Sequence, residues 1–330
     1  MTEVTVTQAG PGITVQDLGR RGYIAQGLSR GGAADRTALL AAAALLRQDV
    51  TAALELPPVP LKLTADAPIR IALTGTERAA QIDGNRLAWN GSHRLKPGET
   101  LTLAPGKGGY AYVSFGGGLA TPIRLGSRAA HLAAGIGAPI ETGDRLPLGK
   151  DDGKEADLIL DPGRTPSGPL RLLPSAHTAL FPEDQIARLQ ETDFTRDPRG
   201  NRQGIRLTHN GAPFGTEGQL SLLSEIARPG DIQITGDGNP MLLGPECQTT
   251  GGYPRIGCLH PADLPRAMQT PPGATLRLAF VPLDEAQPHD EDAALRDMCK
   301  RVAPRIRDPH DIPDLGAYQL ISGVTTGERP

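Results

Sequence analysis

The sequence predicts a mostly β protein built from two linked β-barrel-like domains with a few short helices. Short segments that alternate apolar and polar residues recur along the chain and are separated by Gly- and Pro-containing turns, which is typical of barrels and sandwiches. The 330 residues exceed what one small domain needs and indicate two domains. Because aromatic residues make up only 3%, the cores must be filled mainly by Leu, Ile, Val and Ala.

Residues 1–160 form the predicted N-terminal β-rich domain. A strand pattern at Val4 and Val6 opens it, and a stretch rich in Ala and Leu predicts one helix over about 33–47. Short strands are predicted at 69–73, 100–103 and 110–115. The dipeptides Asp83-Gly84 and Asn90-Gly91 are typical of hairpin turns, so we expect a hairpin at each.

A polar and turn-rich stretch at about 149–167 is typical of an inter-domain linker and predicts a boundary near 155–168, with residues 161–286 as the second domain. Strands are predicted there at 170–173, 205–207, 232–235 and 276–281. One helix is predicted over 182–190, because Pro182 and the acidic residues after it suit the positive N-terminal end of a helix. Residues 287–330 form a charged tail, with a short helix predicted near 291–302.

A weak internal repeat leaves open whether the two domains are copies of each other. The turns at 97–98 and 229–230 are both Pro-Gly, each leads into a predicted strand, and each strand is followed by Gly-Gly-Tyr. The spacings differ between the two halves, so the match also fits two unrelated turns.

Charge and cysteine content limit the classes of function. The 34 Lys and Arg residues against 37 Asp and Glu give a net charge of -3, which offers no basic excess to nucleic acid. Three cysteines without C-x-x-C spacing fit neither a disulfide framework nor a structural zinc site, and the histidines show no paired metal-ligand spacing. No apolar run approaches the roughly 20 residues that span a bilayer, and the N-terminus lacks a signal-peptide pattern. We therefore expect a cytoplasmic protein that binds neither nucleic acid nor membrane.

The run 244–254, GPECQTTGGYP, is the segment with the most concentrated polar chemistry. It places a carboxylate, an amide and two hydroxyls before a pair of glycines whose backbone amides can approach a ligand. This composition suits an anion or a small polar substrate, and a plain hairpin turn is the alternative interpretation. If Ile232 and Ile234 face the core, Gln233 meets Gln248 across a hairpin. Cys247 has no activating neighbour and is predicted to be a buried structural thiol.

Two further motifs combine arginine with polar neighbours. Gln16 and Asp17 precede Arg20 between glycines, so the carboxylate and the guanidinium either pair with each other or turn toward a ligand. The segment 201–207, NRQGIRL, has a similar composition, although an arginine that enters a strand is usually a surface residue. The sequence has no G-x-x-x-x-G-K-[ST] loop, so any ATP must be held in another way.

A series of short segments carries a resemblance to one known family. In order they are 14–23 (TVQDLGRRGY), 33–35 (AAD), 54–56 (LEL), 71–75 (IALTG), 125–128 (LGSR), 201–202 with 204 and 206–207, 224–225 (SE), 230–233 (GDIQ), 238 with 240, and 248–254 (QTTGGYP). The sequence resembles the family that contains the C-type subunit of bacterial 5-oxoprolinase, the KipA-type proteins and the second half of the urea carboxylase carboxyltransferase domain. The matching segments span about residues 4 to 282.

The resemblance implies a cyclophilin-like second domain and a chain that works beside a sister subunit of related fold. Its 5-oxoprolinase members imply ATP-dependent opening of 5-oxoproline to L-glutamate, by a complex with a KipI-like B-type subunit and with an A-type subunit. ATP with Mg²⁺ is then expected in the assembled complex, without bound biotin or zinc. Arg20, Arg202 and Arg206 would serve the phosphate, and Gln248 with the Gly251 and Gly252 amides would serve the substrate carboxylate.

Residue roles follow from the same resemblance. Catalytic roles are assigned to Glu246, Gln248 and Arg202. Substrate- or nucleotide-binding roles are assigned to Gln16, Asp17, Arg20, Asn201, Arg206, Gln233, Thr249, Thr250, Gly251, Gly252 and Tyr253. Two alternatives remain open, a KipA-like protein that sequesters a KipI-like kinase inhibitor and the carboxyltransferase half of a urea carboxylase or allophanate hydrolase system.

The sequence departs from the family pattern at several positions. Glu246 stands where the family usually has Asp, and Gln203 where it has Met. The triplet at 129–131, AAH, replaces Ser-Thr-Tyr, and 135–141 replaces a Gly-rich stretch. The lost hydroxyls would remove hydrogen-bond partners from a pocket, so Glu246 and its surroundings are where we expect a shifted substrate or a lost activity.

Overall fold

The computed structural model describes residues 2–161, 163, 167–216, 222–284, 286 and 289–305. In chain order the first half contains β1 (Glu3–Ala9), β2 (Thr14–Gln16), α1 (Arg36–Leu46), β3 (Ala53–Leu56), β4 (Leu61–Ala65), β5 (Ile69–Gly75), β6 (Ala80–Ile82), β7 (Asn85–Arg86), β8 (Gly91–Leu95), β9 (Thr100–Leu103), β10 (Ala111–Phe115), β11 (Arg145–Pro147) and β12 (Leu158–Leu160). The remainder contains β13 (Leu170–Leu173), α2 (Glu183–Glu191), β14 (Phe194–Arg196), β15 (Gly204–Thr208), β16 (Glu225–Ile226), β17 (Asp231–Ile234), β18 (Pro240–Leu243), β19 (Thr250–Gly251), β20 (Arg255–Leu259), α3 (Leu264–Gln269), β21 (Thr275–Leu276), β22 (Leu278–Phe280), α4 (Glu291–Lys300) and β23 (Val302–Pro304).

Two antiparallel sheets enclose the core of the first half. One has the strand order β11-β1-β4-β9-β6-β7 and the other β2-β3-β10-β5-β8-β12-β23. Their facing side chains, among them Val6 and Leu63 from one sheet and Ile71 and Val113 from the other, are fully buried in one cluster. Alternation along β4, where Leu61 and Leu63 are buried and Lys62 is exposed, gives the sheet one apolar face for this core.

Helix α1 covers the outer face of the seven-stranded sheet. It begins after Asp35, whose carboxylate accepts a hydrogen bond from the Ala38 amide at 3.1 Å, and it ends at Arg47 in the left-handed conformation. The cap explains why the helix starts later than the expected residue 33. Helix α4 packs on α1 through Met298, and β23 pairs with β12. Part of the predicted tail therefore returns to the first half, while 306–330 lies outside the described residues.

The second half is a nearly closed eight-stranded barrel, with the strand order β21-β14-β15-β18-β17-β20-β13-β22. The strand predicted over 276–281 is split at Arg277: β21 pairs with β14 at one edge, and β22 runs parallel to β13 at the other. One short segment thus almost closes the sheet on itself. Together with the short helices, this confirms the predicted mostly β class.

One of the two predicted hairpin turns is wrong. Asp83 and Gly84 have positive φ values of 46° and 85° and join β6 to β7, as a two-residue hairpin requires. Asn90 also has a positive φ of 50°, but the β8 strand that follows pairs with β5 and β12 rather than with β7. The dipeptide turns the chain from one sheet to the other, a choice that depends on packing between sheets.

The two halves share a buried apolar cluster. Ala33, Leu39 and Tyr112 of the first half pack with barrel residues such as Phe194 and Ile232. This contact holds the N-terminal end of α1 against the barrel. No helix within the described ranges has both the length and the apolar character needed to cross a bilayer.

Candidate active site

A buried guanidinium joins the two halves of the molecule. Arg202 lies in the turn between β14 and β15, and its Nε donates to Glu246 Oε1 at 2.6 Å. Its Nη1 donates to Glu55 Oε1 and its Nη2 to the Gly32 carbonyl oxygen at 2.5 Å. Burial opposes the charge, but the carboxylates of Glu55 and Glu246 outweigh it and raise the pKa of Arg202. The guanidinium is therefore a permanent cation held by two carboxylates.

Backbone hydrogen bonds between two turns of the barrel place Arg202 beside Glu246. The Glu246 amide donates to the Arg202 carbonyl oxygen at 3.0 Å, and the Gly244 amide donates to the Gln203 carbonyl oxygen at 2.8 Å. A side chain at Gly244 would come within 2.4 Å of the Arg202 carbonyl oxygen, so the close approach requires glycine. The Gly-Pro-Glu start of the 244–254 run thus positions its carboxylate rigidly.

The two carboxylates around Arg202 differ in the hydrogen bonds that their second oxygens accept. Oε2 of Glu55 accepts from the Ala34 amide at 2.8 Å and from the Tyr112 hydroxyl at 2.7 Å. Oε2 of Glu246 accepts only a long hydrogen bond of 3.5 Å from the Ala133 amide among the described groups. Glu55 is therefore an anchor within the protein, whereas Glu246 keeps acceptor capacity for a ligand.

Arg202 and Glu246 line a cavity of about 430 Å³ between the halves. Asn201 and Gln203 lie at the same cavity, as does Arg196, whose pKa is lowered by burial. Burial and the nearby Glu55 charge raise the pKa of the Tyr110 phenol, also in the lining, to about 12. At neutral pH the cavity therefore offers a carboxylate, two guanidiniums, two amides and a phenol that stays protonated, which suits a small polar substrate.

A second set of buried polar atoms lies behind Glu246. Nε2 of His131 shares a hydrogen bond of 2.8 Å with the Ser29 hydroxyl, and its Nδ1 has no partner. Burial lowers the pKa of His131, and the nearby arginines add to this effect against the opposing charge of Glu246. The His131 imidazole is therefore neutral at pH 7. Arg20, the other member of this set, donates to the Ala129 carbonyl oxygen at 2.5 Å, while its Nη1 lacks a partner among the described groups.

The residues after Glu246 lie on a two-stranded ribbon outside the cavity. Thr250 and Gly251 of β19 pair with β16, and the exposed Gln248 donates to Gln233 Oε1 at 3.1 Å, the contact expected across a hairpin. The backbones of Thr249 and Gly252 accept hydrogen bonds from neighbouring amides, and Tyr253 is exposed. Of the 244–254 run, Glu246 is the residue that lines the cavity with Arg202.

The other predicted site residues make contacts of their own. The Asp17 carboxylate accepts from the Gly19 amide, the Ser127 hydroxyl and the Arg128 amide, so it organises two loops rather than pairing with Arg20. Gln16 is fully buried and donates to Thr14 at 2.9 Å. Arg206 pairs with Asp237 near the surface. None of these residues lines the cavity that Arg202 and Glu246 share.

Sequence reasoning gave no site role to Glu55, Tyr110 or His131. Glu55 carried a signal, since a carboxylate inside the apolar triplet Leu54-Glu55-Leu56 must find a partner when its strand is buried. Cys247 is buried and its thiol pKa is raised to about 12 by burial, which fits the predicted structural thiol. Among the described residues, no group of three or more His, Cys, Asp or Glu could hold a metal ion.

Comparison with known proteins identifies relatives that match most of the chain. Residues 26–280 match the family described as carboxyltransferase domain, subdomain A and B. The chain is 34% identical over 296 residues to a protein of Escherichia coli (strain K12) named as the C subunit of 5-oxoprolinase, covering 85% of this chain and 92% of that one. A protein of the same name from Haemophilus influenzae is 29% identical over 279 residues, covering 83% of this chain and 89% of that one.

Solved structures show a similar fold. The crystal structure of TTHA0988 superposes with a TM-score of 0.76 at 26% identity, over 84% of this chain and 55% of that one. The K. lactis urea amidolyase superposes with a TM-score of 0.77 at 22% identity, over 93% of this chain and 21% of that one. This chain therefore spans about half the length of TTHA0988 and a smaller part of the urea amidolyase.

Proposed function

The chain belongs to the carboxyltransferase domain family, subdomains A and B, and from this premise we propose that it is the C-type subunit of a 5-oxoprolinase-like complex. That complex would open 5-oxoproline to L-glutamate with ATP, and this chain would act together with a KipI-like B-type subunit and with an A-type subunit. The observation that carries the proposal is the Glu246 carboxylate, which is held by Arg202 on one oxygen and open to a cavity of about 430 Å³.

The chemistry of the proposed substrate matches this cavity. 5-Oxoproline carries a carboxylate and a lactam, so a site needs a cation for the first and a base and hydrogen-bond donors for the second. Arg196 supplies positive charge, and Tyr110 supplies a phenol proton. ATP would transfer a phosphoryl group to the lactam oxygen and leave as ADP, and Glu246 would orient and deprotonate the water that attacks the lactam carbon. Loss of phosphate and cleavage of the ring C–N bond, with a proton taken up by the nitrogen, would then give glutamate.

An assay of the reconstituted complex tests the proposal. We would co-purify the chain with its candidate sister subunits and measure ATP-dependent release of glutamate from 5-oxoproline. Glu246→Gln keeps the size of the side chain but removes the base, so kcat should fall by about 100-fold or more. The complex should still assemble, because Arg202 retains Glu55. Full turnover in this variant would contradict the role of Glu246.

Gln248→Ala is the comparison variant, because Gln248 lies on the ribbon outside the cavity. If kcat falls as far in Gln248→Ala as in Glu246→Gln, the reacting centre lies on the ribbon instead. Tight co-purification without any turnover in the wild-type complex would contradict the enzyme role and favour a protein that sequesters its partner.

A further inference from the structure

A second cavity of about 430 Å³ lies where the first half, the barrel and α4 meet. It shares no lining residue with the cavity that contains Glu246. Five arginines and one glutamate line it: Arg20, Arg21, Arg30, Arg36, Arg228 and Glu291. The described lining is therefore strongly cationic, although the chain as a whole has a net charge of -3.

Three of these guanidiniums are incompletely hydrogen-bonded. Arg20 is 2% exposed and its Nη1 has no partner among the described groups. Arg30 donates from Nε to the Leu18 carbonyl oxygen at 2.8 Å, but its Nη2 has no hydrogen-bond partner. Nε of Arg36 has no partner among the described groups either. Each buried donor without an acceptor is unfavourable, because folding has removed its water without replacing it. Ligand oxygens in the cavity could accept these protons after small rotations of the side chains.

Three of these arginines, Arg21, Arg30 and Arg36, also repel one another. Glu291 is paired with Arg36 at 2.5 Å and with Arg21 at 3.6 Å. Even so, burial and then the charge of Arg30 lower the pKa of Arg36 to about 10. Burial and then the charge of Arg21 lower the pKa of Arg30. One carboxylate does not neutralise the lining, and a multivalent anion would relieve the repulsion.

Apart from Tyr23, Cys258 and His289, the rest of the lining is apolar. Ile24 and Leu28 from the first half and Leu259 and Leu264 from the second half line it, together with four prolines. A cavity lined by both guanidiniums and apolar side chains suits a ligand with an anionic group on an apolar or flat body. A monocarboxylate would leave most of the guanidiniums without a counter-charge, whereas two or three linked phosphates would satisfy them.

We propose that this cavity binds an organic di- or triphosphate, with the guanidiniums as partners of its phosphates and the apolar side chains as contacts for its body. The site and the class of ligand follow from the cavity itself. The identification of the ligand with the ATP consumed by the complex rests on the proposed function. Glu291 is then the internal counter-ion of the cavity, and the phosphates would displace it from Arg36.

Calorimetric titration of the isolated chain tests the site, with ATP, inorganic pyrophosphate, adenosine and L-glutamate as probes. ATP should bind with one site per chain, and pyrophosphate should compete with it. Arg36→Gln should weaken the binding of ATP about tenfold or more, since it removes a charged hydrogen-bond donor. Glu291→Gln should tighten ATP binding because it removes the competing carboxylate. Glu3→Gln and Arg145→Gln, which alter a surface ion pair, should leave the affinity unchanged.

The result can overturn the proposal in several ways. Failure of both ATP and pyrophosphate to bind would exclude the site, as would equal ATP affinity in all variants. Glutamate binding as tight as pyrophosphate would make it a carboxylate site. Thermal unfolding monitored by circular dichroism shows whether Arg36→Gln folds, and the exposed Arg228→Gln repeats the test if it does not.

The reconstituted complex separates this inference from the proposed function. Glutamate release with an unaltered KM for ATP in the Arg36→Gln complex would exclude this cavity as the site of the consumed ATP and leave the proposed function standing. If ATP binds to the wild-type chain but not to the Arg36→Gln chain, and the wild-type complex shows no turnover, the results contradict only the proposed function.

Discussion

Replacement of Arg202 by methionine gives the most direct test of the buried ion-pair cluster. The variant keeps much of the side-chain volume but leaves Glu55, 1% exposed, and Glu246, 4% exposed, without their cation. Removing one partner of a buried ion pair costs about 3–5 kcal/mol. Since domains are stable by only about 5–15 kcal/mol, this loss should be a large fraction of the total.

Urea unfolding at pH 7 and pH 4.5 measures the effect. The loss should be smaller at pH 4.5, because the unpaired carboxylates take up protons and no longer bury a charge. Adding Glu55→Gln and Glu246→Gln to Arg202→Met should recover part of the stability at pH 7 for the same reason. Arg145→Met, at a largely exposed ion pair with Glu3, is the control and should cost less than about 1 kcal/mol. A loss below about 1 kcal/mol for Arg202→Met, or one independent of pH, would refute the reasoning.

Two other perturbations test the packing of the halves and the pH dependence. Gln269 donates to Asp35 at 2.8 Å and to the Tyr110 carbonyl oxygen. Gln269→Ala should therefore destabilise the protein by about 2–4 kcal/mol, because it leaves these buried groups without a hydrogen-bond partner. Urea unfolding measures the change, and a value below about 0.5 kcal/mol would contradict the prediction. Burial lowers the pKa of His93, so the unfolded chain binds more protons and stability should fall as the pH drops below about 6.5. His93→Gln, which keeps a donor for the Ala88 carbonyl oxygen, should reduce the loss between pH 7 and pH 5, and an unchanged loss would exclude His93 as a cause.

Local elements were predictable because their signals lie within a few residues. The strand at Thr100–Leu103 and the strand at Leu170–Leu173 have the expected bounds, and helix α2 differs from its prediction by one residue at each end. Alternation, caps and turn residues act through the backbone of the segment itself. The Asn90-Gly91 turn shows the limit, since Asn90 has a positive φ but Gly91 begins β8, whose strand partners did not follow from the sequence.

The candidate site was predictable only in part. Glu246, Arg202 and Asn201 line one cavity, but Gln248 and Tyr253, a few residues from Glu246, lie elsewhere. Neighbouring residues in a turn point in different directions, and the sequence does not state which of them face the other half of the molecule. The roles assigned to these residues remain predictions.

The sequence by itself determined the mostly β class, the α-helix of the first half and the family, because periodicity, capping residues and ordered motifs are properties of the chain. Only the tertiary structure decided that Arg202 meets Glu55, 147 residues away, and that Gln269 meets Asp35, 234 residues away. It also decided that five arginines gather around one cavity. Such groups meet only when the two halves dock, and docking is governed by packing of the shared core rather than by any local pattern.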